Sequence, residues 1–103
     1  MIADIAFSTS YLCQNQGVSV ANDVSFRIVT LKPGISMTWP AETNKMSTCS
    51  VAAGKVRVKV QEREFYIGPN GMFKINKGLQ CTVENPLYID SILHVWTLKD
   101  FCD

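Results

Sequence analysis

The stretch GMFKINKGLQCTVEN, residues 71–85, carries the clearest structural signal in this chain. Phe73 and Ile75 alternate with their neighbours at a period of two, which is typical of a half-buried β-strand. The Asn-Lys-Gly sequence that follows predicts a tight turn, because Asn tolerates a positive φ and Gly adopts it without steric cost. Cys81 and Val83 then alternate with polar residues. The stretch is therefore predicted to be a hairpin of two short strands.

The same alternation recurs along most of the chain. It is most regular in residues 55–60, where Val56, Val58 and Val60 alternate with basic residues and begin a second hairpin that ends at residue 67. Further strands are predicted at residues 24–31, 35–39, 46–53 and 91–98, with Gly or Pro turns between many of them. No pattern indicates a helix of ten or more residues. Eight or nine short strands predict an all-β fold, a β-sandwich or jelly-roll barrel.

Composition indicates one soluble globular domain. The 103 residues are 47% hydrophobic and 18% charged, and their net charge of +1 gives no broad attraction to nucleic acid or anionic membrane. No apolar run approaches the roughly 20 residues that span a bilayer, and no signal peptide opens the chain. We therefore predict no direct sequence-specific DNA binding by this domain and no membrane partner.

The four cysteines, Cys13, Cys49, Cys81 and Cys102, include no C-x-x-C pair, which argues against a zinc site. Because the number of cysteines is even, disulfide bonds between them remain an alternative. Because at least two of them lie in strand patterns, where a free Cys behaves as a small apolar residue, reduced thiols in an intracellular compartment are favoured.

Gly78, Cys81 and Asn85 resemble the end of the second cupin motif, G-x5-P-x-G-x2-H-x3-N, and Gly34 and Gly54 bound a segment that resembles the first motif, G-x5-H-x-H-x3,4-E-x6-G. This resemblance implies a cupin-type barrel.

The metal ligands of the cupin motifs are missing. Cys81 stands where the second motif has its His, and Pro40 and Glu42 fall near the H-x-H positions of the first. The resemblance therefore implies a cupin barrel with no metal, no other cofactor and no catalytic residue.

The order of the elements resembles the C-terminal cupin domain of the centromere protein C family. The segments that carry the resemblance are Leu-Lys-Pro at 31–33, Gly-Lys-Val-Arg-Val at 54–58, Phe-Tyr-Ile at 65–67 and Gly-Met-Phe at 71–73, followed by Gly78 and Asn85. The likeness covers residues 24–99. Residues 1–23 lie outside it and are predicted to form a leading strand and loop, while residues 24–103 form the cupin-like domain.

The resemblance implies a non-catalytic homodimerisation module of a longer centromere or kinetochore scaffold protein, located in the nucleus at the centromeric chromosome. It further implies docking of centromeric chromatin assembly factors or kinetochore proteins.

The final strand, residues 91–98, is apolar on both sides, so one of its two sets of side chains must face away from the core. Leu93, His94, Val95 and Trp96 are therefore the candidate residues of a dimer interface. His94 and Trp96 suit an interface and Leu93 and Val95 a core, but the sequence leaves the choice open.

Met37 and Trp39, on a strand near the predicted barrel mouth, are the candidates for holding a partner peptide. Two alternative functions stay open. One is a small-ligand-binding domain; the other is a metal-free cupin enzyme resembling an epimerase or isomerase, for which the lone histidine, His94, would have to supply the base.

Overall fold

The computed structural model describes residues 8–14 and 17–99. The predicted all-β architecture is confirmed, since nine strands and one short helix make up the regular structure of these residues. The elements in chain order are α1 Thr9–Gln14, β1 Val18–Ala21, β2 Val24–Leu31, β3 Ser36–Trp39, β4 Lys45–Ala53, β5 Val56–Val60, β6 Arg63–Ile67, β7 Met72–Ile75, β8 Cys81–Glu84 and β9 Ser91–Lys99.

Two antiparallel sheets pack face to face. One has five strands in the order β1-β2-β9-β4-β7, and the other has four in the order β3-β8-β5-β6. The predicted register of the valine-rich strand is confirmed, because Val56 and Val58 are fully buried between the sheets whereas Lys59 is exposed. The interior contains these apolar residues: Val29, Leu31, Cys49, Val51, Val56, Val58, Phe73, Ile75, Cys81, Val83, Leu93 and Val95.

The hairpin predicted at residues 71–85 is wrong in its pairing. Both strands exist, but β7 pairs with β4 in the five-stranded sheet, whereas β8 lies between β3 and β5 in the four-stranded sheet. The connection around Gly78 therefore crosses from one sheet to the other. The two strands lie in different sheets, on opposite sides of the core, and Phe73 and Cys81 both point into it.

The N-terminal region also differs from the prediction. Residues 9–14, expected to be a loop, form the one-and-a-half-turn helix α1, whose first turn is capped by Ser8: its Oγ accepts a hydrogen bond from the Tyr11 N–H at 3.2 Å. β1 pairs with β2, so residues 18–21 belong to the five-stranded sheet. The rest of the predicted leading strand and loop, residues 1–7 and 15–16, lies outside the described part of the chain. Among the described residues, no helix has the length and hydrophobicity to cross a membrane.

Candidate functional site

The two alternating sets of side chains on β9 have different environments. Leu93 and Val95 are 0% and 1% exposed and belong to the core between the sheets. They are therefore not available to a partner, so neither residue belongs to the candidate dimer interface. His94 and Trp96 point the other way, to the outer face of the five-stranded sheet, where Trp96 is 39% exposed.

The outer side of the five-stranded sheet carries a cluster of apolar and aromatic side chains on the paired strands β2 and β9, whereas the β4 residues opposite Trp96 and His94 are the polar Thr48 and Ser50. Phe26 lies opposite Trp96 and also contacts His94, with ring centroids 4.5 and 5.5 Å apart. Residues directly opposite in an antiparallel pair share a face. The outer face, as we use the term, consists of the exposed or half-buried residues Val24, Phe26, Ile28, Met46, Met72, Ile92, His94, Trp96 and Leu98.

The opposite outer surface, on the four-stranded sheet, is polar. Arg57 forms ion pairs with Glu64 at 3.1 Å and Glu84 at 2.6 Å, and the hydroxyls of Thr38 and Thr82 are 3.1 Å apart. The two sheets thus present surfaces of different chemistry. The apolar one is the better candidate for a protein interface.

A cavity of about 400 Å³ opens at one end of the barrel, which we call the mouth. Trp39 lines the cavity. Met37 also points inward, opposite Val83, but packs against the core and does not line the cavity. The lining residues are Ser25, Arg27, Trp39, Pro40, Glu42, Lys45, Ser47, Ile75, Asn76, Leu79 and Thr97.

Polar groups at the mouth come from both sheets. The Arg27 guanidinium of β2 lies over the indole ring of Trp39, 5.6 Å from its centroid. Glu42 and Lys45 form an ion pair at 3.7 Å, and the hydroxyls of Ser47 and Thr97 are 3.3 Å apart. Sequence reasoning missed Arg27, although a single cation on the inward side of an apolar strand was the available signal.

The indole Nε1 of Trp39 is buried and has no hydrogen-bond partner among the described residues. Buried N–H groups are nearly always paired in proteins, so the unpaired Nε1 of a residue that lines the cavity is an unusual feature of this site.

The residues at the positions that resemble the cupin metal ligands do not fit a metal ion. The Pro40 side chain has no donor atom, and the Glu42 carboxylate is paired with the Lys45 ammonium. Cys81 lies in the core, where desolvation by burial raises the pKa of its thiol to about 11 and so disfavours the thiolate that binds metals. Within the described residues, no group of three His, Cys, Asp or Glu side chains is arranged to hold a metal.

No histidine or tyrosine is placed to act as a base in the cavity. His94 lies on the outer face of the five-stranded sheet, behind the core as seen from the mouth. Tyr66 and Tyr88 are 56% and 98% exposed, and neither they nor Tyr11 line the cavity. The mouth can therefore bind a ligand, but it holds neither His nor Tyr for proton transfer.

Comparison with known proteins identifies the fold. No protein-family model and no curated protein matches the sequence. Among solved structures, a conserved protein with a double-stranded β-helix domain from Klebsiella pneumoniae matches with a TM-score of 0.80 at 12% identity, covering 96% of this chain and 93% of that one.

Two further solved structures are cupins. The cupin domain of Cnp3 from Schizosaccharomyces pombe has a TM-score of 0.74 at 17% identity, covering 81% of this chain and 61% of that one. A sugar phosphate isomerase of the cupin superfamily from Silicibacter pomeroyi has a TM-score of 0.69 at 13% identity, covering 78% of this chain and 53% of that one. This chain thus spans only part of both proteins. The chain has a cupin fold, as predicted.

Proposed function

We propose that this chain is a non-catalytic homodimerisation module of a centromere or kinetochore scaffold protein. The observation that carries the proposal is the apolar outer face around Trp96. Trp96 is 39% exposed, Leu98, two residues further along the same strand, is 38% exposed, and Met72, on the edge strand β7, is 58% exposed. An exposed apolar patch on the side of a sheet opposite the core is typical of an interaction surface.

A second copy of the same chain is the partner that best fits this face. In a two-fold dimer each subunit contributes the same surface, so an apolar patch on one copy meets the identical patch on the other. The outer face spans β2, β9, β4 and β7, and most of its apolar residues lie on β2 and β9. An extended sheet face is a suitable shape for the roughly 800 Å² per partner that a stable interface buries.

The centromeric role rests on similarity. The ordered segments from Leu31 to Asn85 resemble the centromere protein C family, and the fold is similar to that of the Cnp3 cupin domain, a homologue of centromere protein C. On this proposal the protein acts in the nucleus at the centromere. Its mouth, with Trp39 and the adjacent Met37, docks a centromeric chromatin assembly factor or a kinetochore protein.

The non-catalytic part of the proposal is supported by the composition of the mouth. Its lining has no His or Tyr to serve as a base, and Pro40, Glu42 and Cys81 do not form a metal-ligand set. The cavity itself favours a second candidate, a small-ligand-binding cupin or metal-free isomerase. A thermal-shift screen with sugar phosphates separates the two, because a bound ligand raises stability by RT ln(1 + [L]/Kd).

Light scattering with sedimentation analysis tests the dimer. We expect twice the monomer mass at about 100 µM, far above the Kd of an interface of standard size. A monomer at that concentration contradicts the dimerisation proposal. The centromeric role is tested separately by imaging the tagged full-length protein in dividing cells, where we expect foci on centromeric chromatin; a uniform distribution contradicts it.

A further inference from the structure

We propose that the mouth binds a carboxylate, presented by an acidic side chain of a partner's extended segment. This inference rests on the proposed docking role of the mouth and names the chemistry that the mouth recognises. Its basis is a pair of adjacent hydrogen-bond donors, Arg27 and Trp39, for which the described residues supply no acceptor.

The first donor is the indole N–H of Trp39. Its nitrogen atom is buried and has no acceptor within hydrogen-bond distance among the described residues, while Trp39 itself lines the cavity. An acceptor from the cavity therefore reaches this N–H only when the side chains around it shift. An indole N–H only donates, so its natural ligand is an oxygen atom with a free lone pair. A ligand oxygen that pairs with it would remove the penalty of a buried, unpaired donor.

The second donor is the guanidinium of Arg27. Arg27 lies opposite Val95 in the sheet and therefore points inward, toward the mouth. The ion pairs within the described residues involve Lys32, Lys45 and Arg57, and none involves Arg27. Its described contact is the face of Trp39, which leaves the planar fork of N–H groups available for a carboxylate.

The carboxylate of Glu42 also lines the mouth and has to be accounted for. It lies 3.7 Å from the Lys45 ammonium, which offsets its charge. With Arg27 added, two cations and one anion line the cavity, so its net charge is positive. A negatively charged ligand is therefore favoured over a neutral or cationic one.

The position of β3 favours a peptide over a free small acid. β3 is an edge strand that pairs only with β8 within the described residues, and Trp39 is its last residue. The other backbone edge of β3, which has no strand partner in residues 8–14 and 17–99, can accept an extended segment by β-augmentation, in which main-chain hydrogen bonds give affinity and alternate side chains enter pockets. An acidic side chain of that segment would then reach the donors beside Trp39.

Nuclear magnetic resonance on the full chain tests this inference, because its two indoles provide a signal and an internal reference. The probe is the blocked tripeptide acetyl-Gly-Glu-Gly-amide, whose one charge is the Glu carboxylate, and the control is the same tripeptide with Gln. We expect the Glu probe to shift the Trp39 indole N–H downfield with a Kd of about 1 mM, weak as for a single charged contact. The Trp96 indole and the Gln probe should show no saturable shift.

Two variants assign the effect. R27Q should weaken binding of the Glu probe about tenfold or more, because a charged hydrogen-bonded pair contributes about 1.5–3 kcal/mol. K59Q, which removes one exposed cation on the other outer surface, should bind as the wild type does. If R27Q does not fold, R27K keeps the charge without the planar fork and should weaken binding several-fold.

Three results would overturn the inference: no shift of the Trp39 indole by the Glu probe, equal shifts by the Glu and Gln probes, or unchanged binding in the folded Arg27 variant. Succinate serves as a further arm. A shift with succinate but none with the tripeptide would identify a small-acid site and also reject the peptide proposal. The dimer is measured independently, so a dimer whose mouth binds no carboxylate removes this inference and leaves the dimerisation proposal intact.

Discussion

The side-chain amide of Asn85 donates a hydrogen bond to the carbonyl oxygen of Leu31 at 2.9 Å, and so fixes the segment after β8 to the end of β2. The same Nδ2 donates to Ile89 O at 2.7 Å, and Oδ1 accepts from the Leu87 N–H at 2.9 Å. Asn85 is fully buried. The residue that resembles the terminal Asn of the second cupin motif is therefore structural in this chain and lies away from the mouth.

Replacing Asn85 is expected to lower stability strongly. N85A removes three hydrogen bonds and leaves buried backbone groups of Leu31 and its neighbours without partners, for an expected loss of about 2–4 kcal/mol in the free energy of unfolding. Urea unfolding measures it. N44A, at an exposed position, should stay within about 0.5 kcal/mol of the wild type. A loss of similar size in both variants would contradict the role assigned to Asn85.

Gly34 and Gly54 have similar backbone conformations but different surroundings. Substituting each with Ala therefore separates the cost of backbone strain from the cost of a steric clash. Gly54 and Gly34 have φ values of +81° and +74°. A Cβ on Gly54 would overlap the Ser91 side chain and lie 2.8 Å from its Cα, whereas at Gly34 nothing lies within 4 Å. The Ser91 hydroxyl cannot move freely, since it donates to Lys55 O at 2.8 Å and accepts from Lys55 N.

We expect G34A to cost about 1–2 kcal/mol, the strain of a left-handed conformation alone. G54A should cost at least about 2 kcal/mol more, because Ser91 must shift and loses its bonds to Lys55. Parallel urea titrations measure the difference. Equal losses would mean that the close approach of Gly54 to Ser91 contributes nothing.

The parts of this structure that depend on local pattern could be predicted from the sequence, and those that depend on contacts between the sheets could not. The alternation of Val56 and Val58 defines a strand and its buried side without further information. On β9 both sides are apolar, so the assignment of Leu93 inward and Trp96 outward needed the neighbouring strands.

The remaining differences have the same origin. A turn such as Asn-Lys-Gly has similar chemistry whether the next strand pairs with the last or crosses to the other sheet, which is why β7 and β8 were expected to form a hairpin. The contact between Arg27 and Trp39 joins strands of different sheets, and no spacing in the sequence encodes it. Helix α1, six residues long, is too short for helical periodicity to reveal.

The buried cysteines should be chemically silent in the native protein. Desolvation by burial raises the pKa of Cys49 to about 12, with a further rise from the nearby Cys81 and a partial offset from Arg27. Burial likewise raises the pKa of Cys81 to about 11. Since the thiolate is the reactive form, iodoacetamide at about pH 8.5 should alkylate the exposed Cys13 but neither buried thiol until urea is added. Peptide mass mapping identifies which cysteines are alkylated. Rapid alkylation of Cys49 or Cys81 in the native protein would contradict their burial.

The same shifts make stability depend on pH in the alkaline range. Both thiols have ordinary pKa values of 9.0, so above that pH the unfolded chain loses protons that the native chain retains. The free energy of unfolding should therefore fall as pH rises through 9, by up to about 1.4 kcal/mol per pH unit for each thiol. Replacing Cys49 with Ala should reduce this slope, and an unchanged slope would contradict the assigned shift.

Neighbouring positions on β9 provide the sharpest test of the proposed interface. Trp96 is on the outer face, so W96E should keep the fold and turn the dimer into a monomer, because a carboxylate in the centre of an apolar two-fold interface faces its own copy. Leu93 is fully buried between the sheets, so L93E should place an unpaired charge in the core and cost about 3–5 kcal/mol, enough to unfold most domains of this size.

Circular dichroism and light scattering on the same samples distinguish these outcomes, with T38E as the matched control on the polar outer surface. That variant should remain a folded dimer, since Thr38 is exposed and lies on the sheet opposite the proposed interface. A W96E protein that is still a dimer would exclude the outer face of the five-stranded sheet as the interface. A folded L93E protein would contradict the register of β9. Only a folded, monomeric W96E protein together with an unfolded L93E protein fits an outer face that exists to bind a second copy of the chain.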